Sequence, residues 1–293
     1  RSSNDACCSA TRPVQQRHAL ARPRQILSHF EAKLGGKPDS RKAPETTDEL
    51  ASHTWHNIVV ENRGTDLPSE VLILAAHLDA VPKSPGADDN GSGAAALLEL
   101  ARVLYSRPLR RTVRFIFFNL EEVGLKGSAE YVRLLKPTLD AKKETVIGMV
   151  SLEMLGYYTD APNSQRSPIP TIKGLFEPPT TGDFIGFATI SKHSAFCRRL
   201  ETEMKAAAPA LKTFVADFSP IAPPDFLRSD HAPFLLMGLP AVMLTDTSNF
   251  RNPNYHKPSD TIQTLDPARY TLVVRALAGA AHAIAEPVAP KPR

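Results

Sequence analysis

Three times along this chain a short, largely apolar run stops, and the residues that follow are histidine or acid. Val71–Ala76 (VLILAA) leads into His77 and Asp79, Thr112–Asn119 (TVRFIFFN) into Glu121 and Glu122, and Thr145–Leu152 (TVIGMVSL) into Glu153. Their length and β-branched or aromatic content predict buried strands. Ala94–Tyr105 and Ser128–Leu135, between them, read as helices. A β-α-β-α-β order predicts a largely parallel sheet with helices on both faces. Ligands of such sheets bind at the carboxyl ends of the strands, so the charged residues after each run fall on one edge.

The rest of the chain predicts a frame for that edge. Residues 1–25 lack periodicity and read as a flexible arm, followed by a short helix at 26–34 and a strand at Thr54–Glu61. The proline-rich stretch 157–183 reads as a surface excursion that rims a pocket and sets preference there. Ser191–Ala208 reads as a helix, Ala216–Pro224 as a loop, Pro240–Thr245 as a strand and Pro267–Ala285 as a closing helix. One domain, 26–286, is expected, with a disordered tail at 287–293. His53, His56, His193 and His282 read as surface or packing histidines.

Bulk properties exclude several classes. A net charge of +4, from 35 basic against 31 acidic residues, carries no long basic run, so nucleic acid is not an expected partner. No apolar stretch is long enough to span a membrane. Cys7, Cys8 and Cys197 make neither a disulfide framework nor a zinc-finger spacing. The residues from Arg1 onward show no charged n-region followed by an apolar h-region, which leaves the compartment open.

Asp89, which opens the helix after the first run, and His256, in the loop after Pro240–Thr245, join the strand-end residues as candidate ligands. A His/carboxylate set suits a divalent ion, and zinc is its usual occupant. Asp89, Glu122 and Glu153 would crowd three negative charges into one pocket, which calls for cations. A carboxylate bridging two ions permits the two-metal hydrolytic arrangement, leaving Glu121 as general base.

Taken in order, HLD, ADDNGSG, NLEEVGLKGS, the acid of LEMLG, SDHAPF and YHKPSDT resemble the co-catalytic dizinc aminopeptidases, metallopeptidase family 28, over roughly residues 55–285. The resemblance implies a three-layer α/β/α fold of zinc-peptidase (phosphorylase/hydrolase-like) architecture, with a mixed, mostly parallel sheet. It implies two zincs per chain. His77 and Glu153 would bind one and Glu122 and His256 the other, with Asp89 bridging. Glu121 would move the proton from water to the leaving amine, and Tyr255 would stabilise the oxyanion. Asp79 would orient the His77 ring, and Asp230, with His231, would support the pocket wall. Where the family usually has aspartate, this chain has Glu153, whose extra methylene moves the carboxylate outward.

The implied activity is removal of N-terminal residues from peptides with a free N-terminus, by a monomer that is secreted or periplasmic. A glutaminyl-cyclase-like acyltransferase shares fold and ligands but uses one zinc and commonly has tryptophan where Tyr255 stands. A two-zinc carboxypeptidase or deacylase carries an inserted domain, of which the region from Glu153 to His256 shows no sign. A peptidase-like binding module would have lost its ligands, and here they are intact.

Overall fold

The computed structural model describes residues 17–18, 55–105, 107–174, 176–218 and 223–286. Its strands are β1 (Arg17–His18), β2 (Ile58–Asn62), β3 (Leu67–His77), β4 (Arg111–Phe118), β5 (Thr145–Glu153), β6 (Ile185–Ile190), β7 (Thr213–Phe218) and β8 (Ala241–Thr245). They form one sheet in the order β1-β2-β4-β3-β5-β8-β6-β7. Strands β4, β3, β5 and β8 run parallel, and the β2–β4 and β6–β8 pairs are antiparallel. The sheet is thus mostly parallel, as the sequence pattern predicts, and mixed, as the family resemblance implies.

Alternation along the central strands builds both faces. Leu72, Leu74 and Ala76 of β3 join one core cluster; Val71, Ile73 and Ala75 join the other. On the first face lie α1 (Gly93–Tyr105), α3 (Ser194–Ala207) and α5 (Pro267–Ile284), through Leu97, Leu100, Leu200, Met204, Val273 and Leu277. On the second lie α2 (Lys126–Asp140) and α4 (His231–Leu236), through Tyr131, Val132, Phe234 and Leu235. Burial on both faces is why β3 reads as an unbroken apolar run. None of the described helices is long and apolar enough to cross a membrane.

Several expectations are corrected. The stretch read as loop from Ala216 begins inside β7, and β6 was not anticipated at all. Strand β7 is the sheet edge, every residue half-buried, so it lacks the apolar run that marks a central strand. Helix α2 runs past Pro137 to Asp140 rather than stopping at Leu135. The helix expected at 26–34, His53 and the C-terminal tail lie outside the described residues; of the N-terminal arm only β1 is described.

Because β3, β4, β5 and β8 are parallel, their carboxyl ends share one edge. His77 of β3 is in register with Phe118 of β4, and Glu153 of β5 with Thr245 of β8. Residues 87–92 fold back under that edge before α1 begins. The first helical residue, Gly93, lies so close to β5 that a Cβ there would fall on Asn90 Oδ1 and the Leu152 carbonyl. Gly93→Ala is expected to cost about 1–3 kcal/mol through overpacking, read as a lowered thermal midpoint; an unchanged midpoint would show that the loop yields freely.

Candidate metal centre

Two groups of three ligand-type side chains meet at the strand ends and share Asp89: His77, Asp89 and Glu153, and Asp89, Glu122 and His256. His77 Nε2 lies 3.4 Å from Asp89 Oδ1 and 3.5 Å from Glu153 Oε1. His256 Nε2 lies 3.0 Å from Asp89 Oδ2 and 3.3 Å from Glu122 Oε2. The two oxygens of Asp89 therefore face two different histidines, the geometry of a bridging carboxylate. His77 Nε2 and Glu122 Oε1 are buried without a hydrogen-bond partner, an omission that a bound cation would correct. The donor set, imidazole plus carboxylate oxygen, suits a divalent metal, and the residues present fit one at each group. Glu121 shares a third group with His77 and Glu122.

Hydrogen bonds to the main chain place these side chains. The Asp79 carboxylate accepts from the backbone amides of Glu121 and Glu122, each at 3.1 Å. The expected role of Asp79 is thereby altered: the His77 Nδ1 atom sits 3.0 Å from the Asp79 carbonyl oxygen, and the nearer carboxylate oxygen is 3.7 Å away. Asp260 does for Asp89 what Asp79 does for the glutamates, accepting from the amides of Asp88 (3.0 Å) and Asp89 (3.2 Å). Asn90 ties the same loop to β5, donating to the Leu152 carbonyl and accepting from Gly93 and Met154 amides. The Asp89–Asn90 peptide bond is cis. Asp88 is a buried cross-link: its carboxylate accepts from the Gly156 amide and the Asn252 side chain.

His256 has a backbone φ of 59°, rare for a residue with a side chain. The Tyr255 ring stacks on its imidazole at 3.8 Å between centroids. Arg228 donates to the Tyr255 hydroxyl at 2.9 Å. Asp230 is fully buried, its carboxylate oxygens without a hydrogen-bond partner, and burial pushes its pKa up to about 7. His231 is buried beside the Phe226 ring. Asp246, Asp260, Asn252, Arg228 and Ser229 were given no role from sequence, although Ser229 and Asp260 lie inside the motifs SDHAPF and YHKPSDT.

The electrostatics are those of a crowded acid site. Burial opposes a charged His77, yet Glu121 and Glu153, then Asp79 and Asp89, carry it well above the usual histidine range. Burial likewise opposes His256, and hydrogen bonds to Asp89 and Glu122 raise it to about 9. Asp89 is pulled down to about 2 against its burial by the two histidines. Burial pushes Glu121 well above the carboxylate range, with Glu153, Asp230 and Glu122 adding to the shift against His77, and burial raises Glu122 too. Protons collect where positive charge is wanted.

A cavity of about 490 Å³ opens over the centre. Asp89, Glu121, Glu122, Glu153, Tyr255 and His256 line one end, while Phe214 and Phe218 of β7, Met243 of β8 and Phe250 line the walls. Gln165, Arg166, Ser167, Pro168, Phe176 and Pro178 bring the 157–183 excursion to its rim.

The profile of Peptidase family M28 matches residues 57–281. An Escherichia coli (strain K12) protein described as uncharacterised, YfbL, is 30% identical over 263 residues, covering 87% of this chain and 77% of YfbL. The probable lipoprotein aminopeptidase LpqL of Mycobacterium tuberculosis is 30% identical over 249 residues, 75% of this chain and 44% of LpqL. Among solved structures, BSAP, a zinc aminopeptidase from Bacillus subtilis, is similar with a TM-score of 0.60 at 26% identity, over 78% of this chain and 49% of that one. The chain thus spans about half the length of these two aminopeptidases.

The shifted histidines give the metal-free protein a characteristic pH response. A group raised in the folded state stabilises fully below its unfolded pKa, about 6.5 for histidine, and loses that contribution as pH rises through the folded value. The thermal midpoint of chelator-treated protein is therefore expected to fall as pH rises from 6.5 through 9, the value His256 reaches. A flat midpoint over that window would mean that the histidines hold no extra proton.

Proposed function

The chain belongs to Peptidase family M28, and from that premise we propose that it is a zinc-dependent aminopeptidase removing N-terminal residues from peptides with a free N-terminus. The observation that carries the reading is the pair of three-ligand groups joined through the two oxygens of Asp89. His77 and Glu153 would hold one zinc, Glu122 and His256 the other, and Asp89 both. When bound, zinc supplies Lewis-acid polarisation and eases deprotonation of water.

The chain's own groups do the rest. Glu121 borders the cavity, and its backbone is pinned by Asp79, so its carboxylate is held at the centre. There it takes a proton from the attacking water onto a carboxylate oxygen and gives it to the leaving amine. Its burial, beside Glu122 and Glu153, favours the protonated form that the second of those transfers requires. Tyr255 accepts from Arg228, which leaves its own hydroxyl proton free to donate to the carbonyl oxygen as charge develops there. Asp230, buried and within electrostatic reach of Glu121 and Glu153, supports the pocket wall. The apolar cavity walls, with charge confined to the metal end and the rim, support an apolar first residue.

Elemental analysis is expected to return about two zincs per chain, as the two-metal arrangement requires, with free amino acid released from an unblocked peptide and none from its N-acetylated form. A single zinc with cyclisation of N-terminal glutamine would move the chain to the cyclase reading. Glu121→Gln is expected to retain its zinc and lose about 10²–10⁴-fold in turnover; near-normal turnover would remove Glu121 from the role of base. His256→Ala is expected to lose zinc and turnover together, and full zinc content in that variant would mean that His256 is no ligand.

A further inference from the structure

The cavity that opens over the acid cluster is also lined by two guanidinium groups, those of Arg166 and Arg228. Arg166 belongs to the rim, where it donates to the Asn249 carbonyl. Arg228 reaches the centre. One of its terminal nitrogens donates to the Tyr255 hydroxyl at 2.9 Å and the other to Asp225 at 3.1 Å, and it lies within electrostatic reach of Glu121. A guanidinium has five N–H donors, so these two bonds leave three, on Nε and on both terminal nitrogens, without an acceptor among the described residues. The side chain is 48% exposed, and those donors are open to a ligand. Its base is nonetheless firm. Arg228 follows the single turn Pro224–Leu227, whose Phe226 is buried against Phe218 of β7 and His231, at 4.9 and 4.8 Å between ring centres.

The aminopeptidase reading puts Tyr255 at the carbonyl oxygen of the bond being cut and Glu121 at the nitrogen that leaves. A group beside both of them is beside the residue that leaves. In a dipeptide that residue ends in a carboxylate, whose carbon is two bonds, about 2.5 Å, from the leaving nitrogen. In a longer peptide the same place holds a neutral amide. A carboxylate entering next to Asp89, Glu121, Glu122 and Glu153 is repelled unless a cation receives it, and the planar fork of an arginine matches its two oxygens. We propose that Arg228 binds the terminal carboxylate of the leaving residue, and that the preferred substrates of this chain are dipeptides. Asp225 and Tyr255 hold the guanidinium for that contact with one N–H each. The proposal rests on the aminopeptidase reading given above, and its test measures binding, not turnover.

The experiment uses the zinc-loaded full chain carrying Glu121→Gln, which suppresses cleavage, and titrates it by calorimetry with leucylglycine, the C-terminal amide of leucylglycine, and leucylglycylglycine. The free acid is expected to bind about 10–100-fold more tightly than its amide, the worth of one hydrogen-bonded pair with a charged group, and the tripeptide is expected to bind like the amide. Adding Arg228→Met is expected to abolish the gap between acid and amide. Comparing the two ligands within one variant cancels whatever Tyr255 loses with its partner. Arg228→Lys, which keeps the charge and not the fork, is expected to restore part of the gap. Equal binding of acid and amide while Arg228 is intact would overturn the proposal whether or not the Arg228 variants fold. A gap that survives Arg228→Met, a tripeptide that binds as tightly as the free acid, or no binding by any of the three would overturn it too. Release of leucine by the unmutated enzyme from acid and amide at equal kcat/KM would keep the aminopeptidase reading and sink this one. A carboxylate preference that depends on Arg228, in a chain that cleaves no peptide, would do the reverse.

Discussion

Mutual repulsion among carboxylates is the constraint on which this structure turns. Asp89, Glu121, Glu122 and Glu153 converge on the carboxyl edge of the sheet, all but Glu122 less than one-tenth exposed. Two like charges about 4 Å apart cost about 4 kcal/mol at an effective dielectric of about 20, so the cluster needs compensating positive charge. Without metal, protons supply it on His77, His256 and Glu121. Divalent ions would do so more fully. The same crowding that burdens the fold is what makes the centre a trap for cations.

Holding repelling groups together takes a second set of acids, and these act on the main chain. Asp79 accepts two successive amides after β4, and Asp260 two successive amides in the loop after β3. Asp246 accepts the amides of Tyr157 and Ser248. Burial raises the pKa of both Asp246 and Asp88, and the charge of Asp88 raises Asp246 further, which favours one shared proton between them. The loops bearing the candidate ligands are thereby tied to one another, and those side chains are placed by backbone held from outside the site.

The parts of this arrangement that depend on local pattern are legible in the sequence. Apolar runs reveal β3, β4 and β5, and because those strands are parallel the residues after them must meet. What depends on register is hidden. That the Asp79 carboxylate reaches the amides after β4 follows from the pairing of His77 with Phe118, which no spacing within one strand encodes. Strand β7 is hidden for a different reason. As a half-buried edge it mixes two phenylalanines with threonine, valine, alanine and aspartate, a pattern that a loop can share. The part of the pocket wall that this edge supplies, Phe214, Ala216 and Phe218, is hidden with it.

Those walls are coupled to the centre through one cation. Arg251 lies in the loop between β8 and His256. Its Nε donates to Gln165 at 2.8 Å, one of its terminal nitrogens to the Phe184 carbonyl at 2.8 Å, and its guanidinium carbon sits 4.5 Å from the centre of the Phe184 ring. Thr247 donates to the same Gln165 side chain, and the Arg166 amide to the Phe250 carbonyl. The proline-rich excursion is thus fastened to the segment that carries His256. A guanidinium planted between two elements, with planar donors and an aromatic face to stack on, restrains both more than a flexible ammonium would. A change in the packing of the pocket rim therefore has a direct hydrogen-bonded route, through Gln165 and Arg251, to the loop of His256.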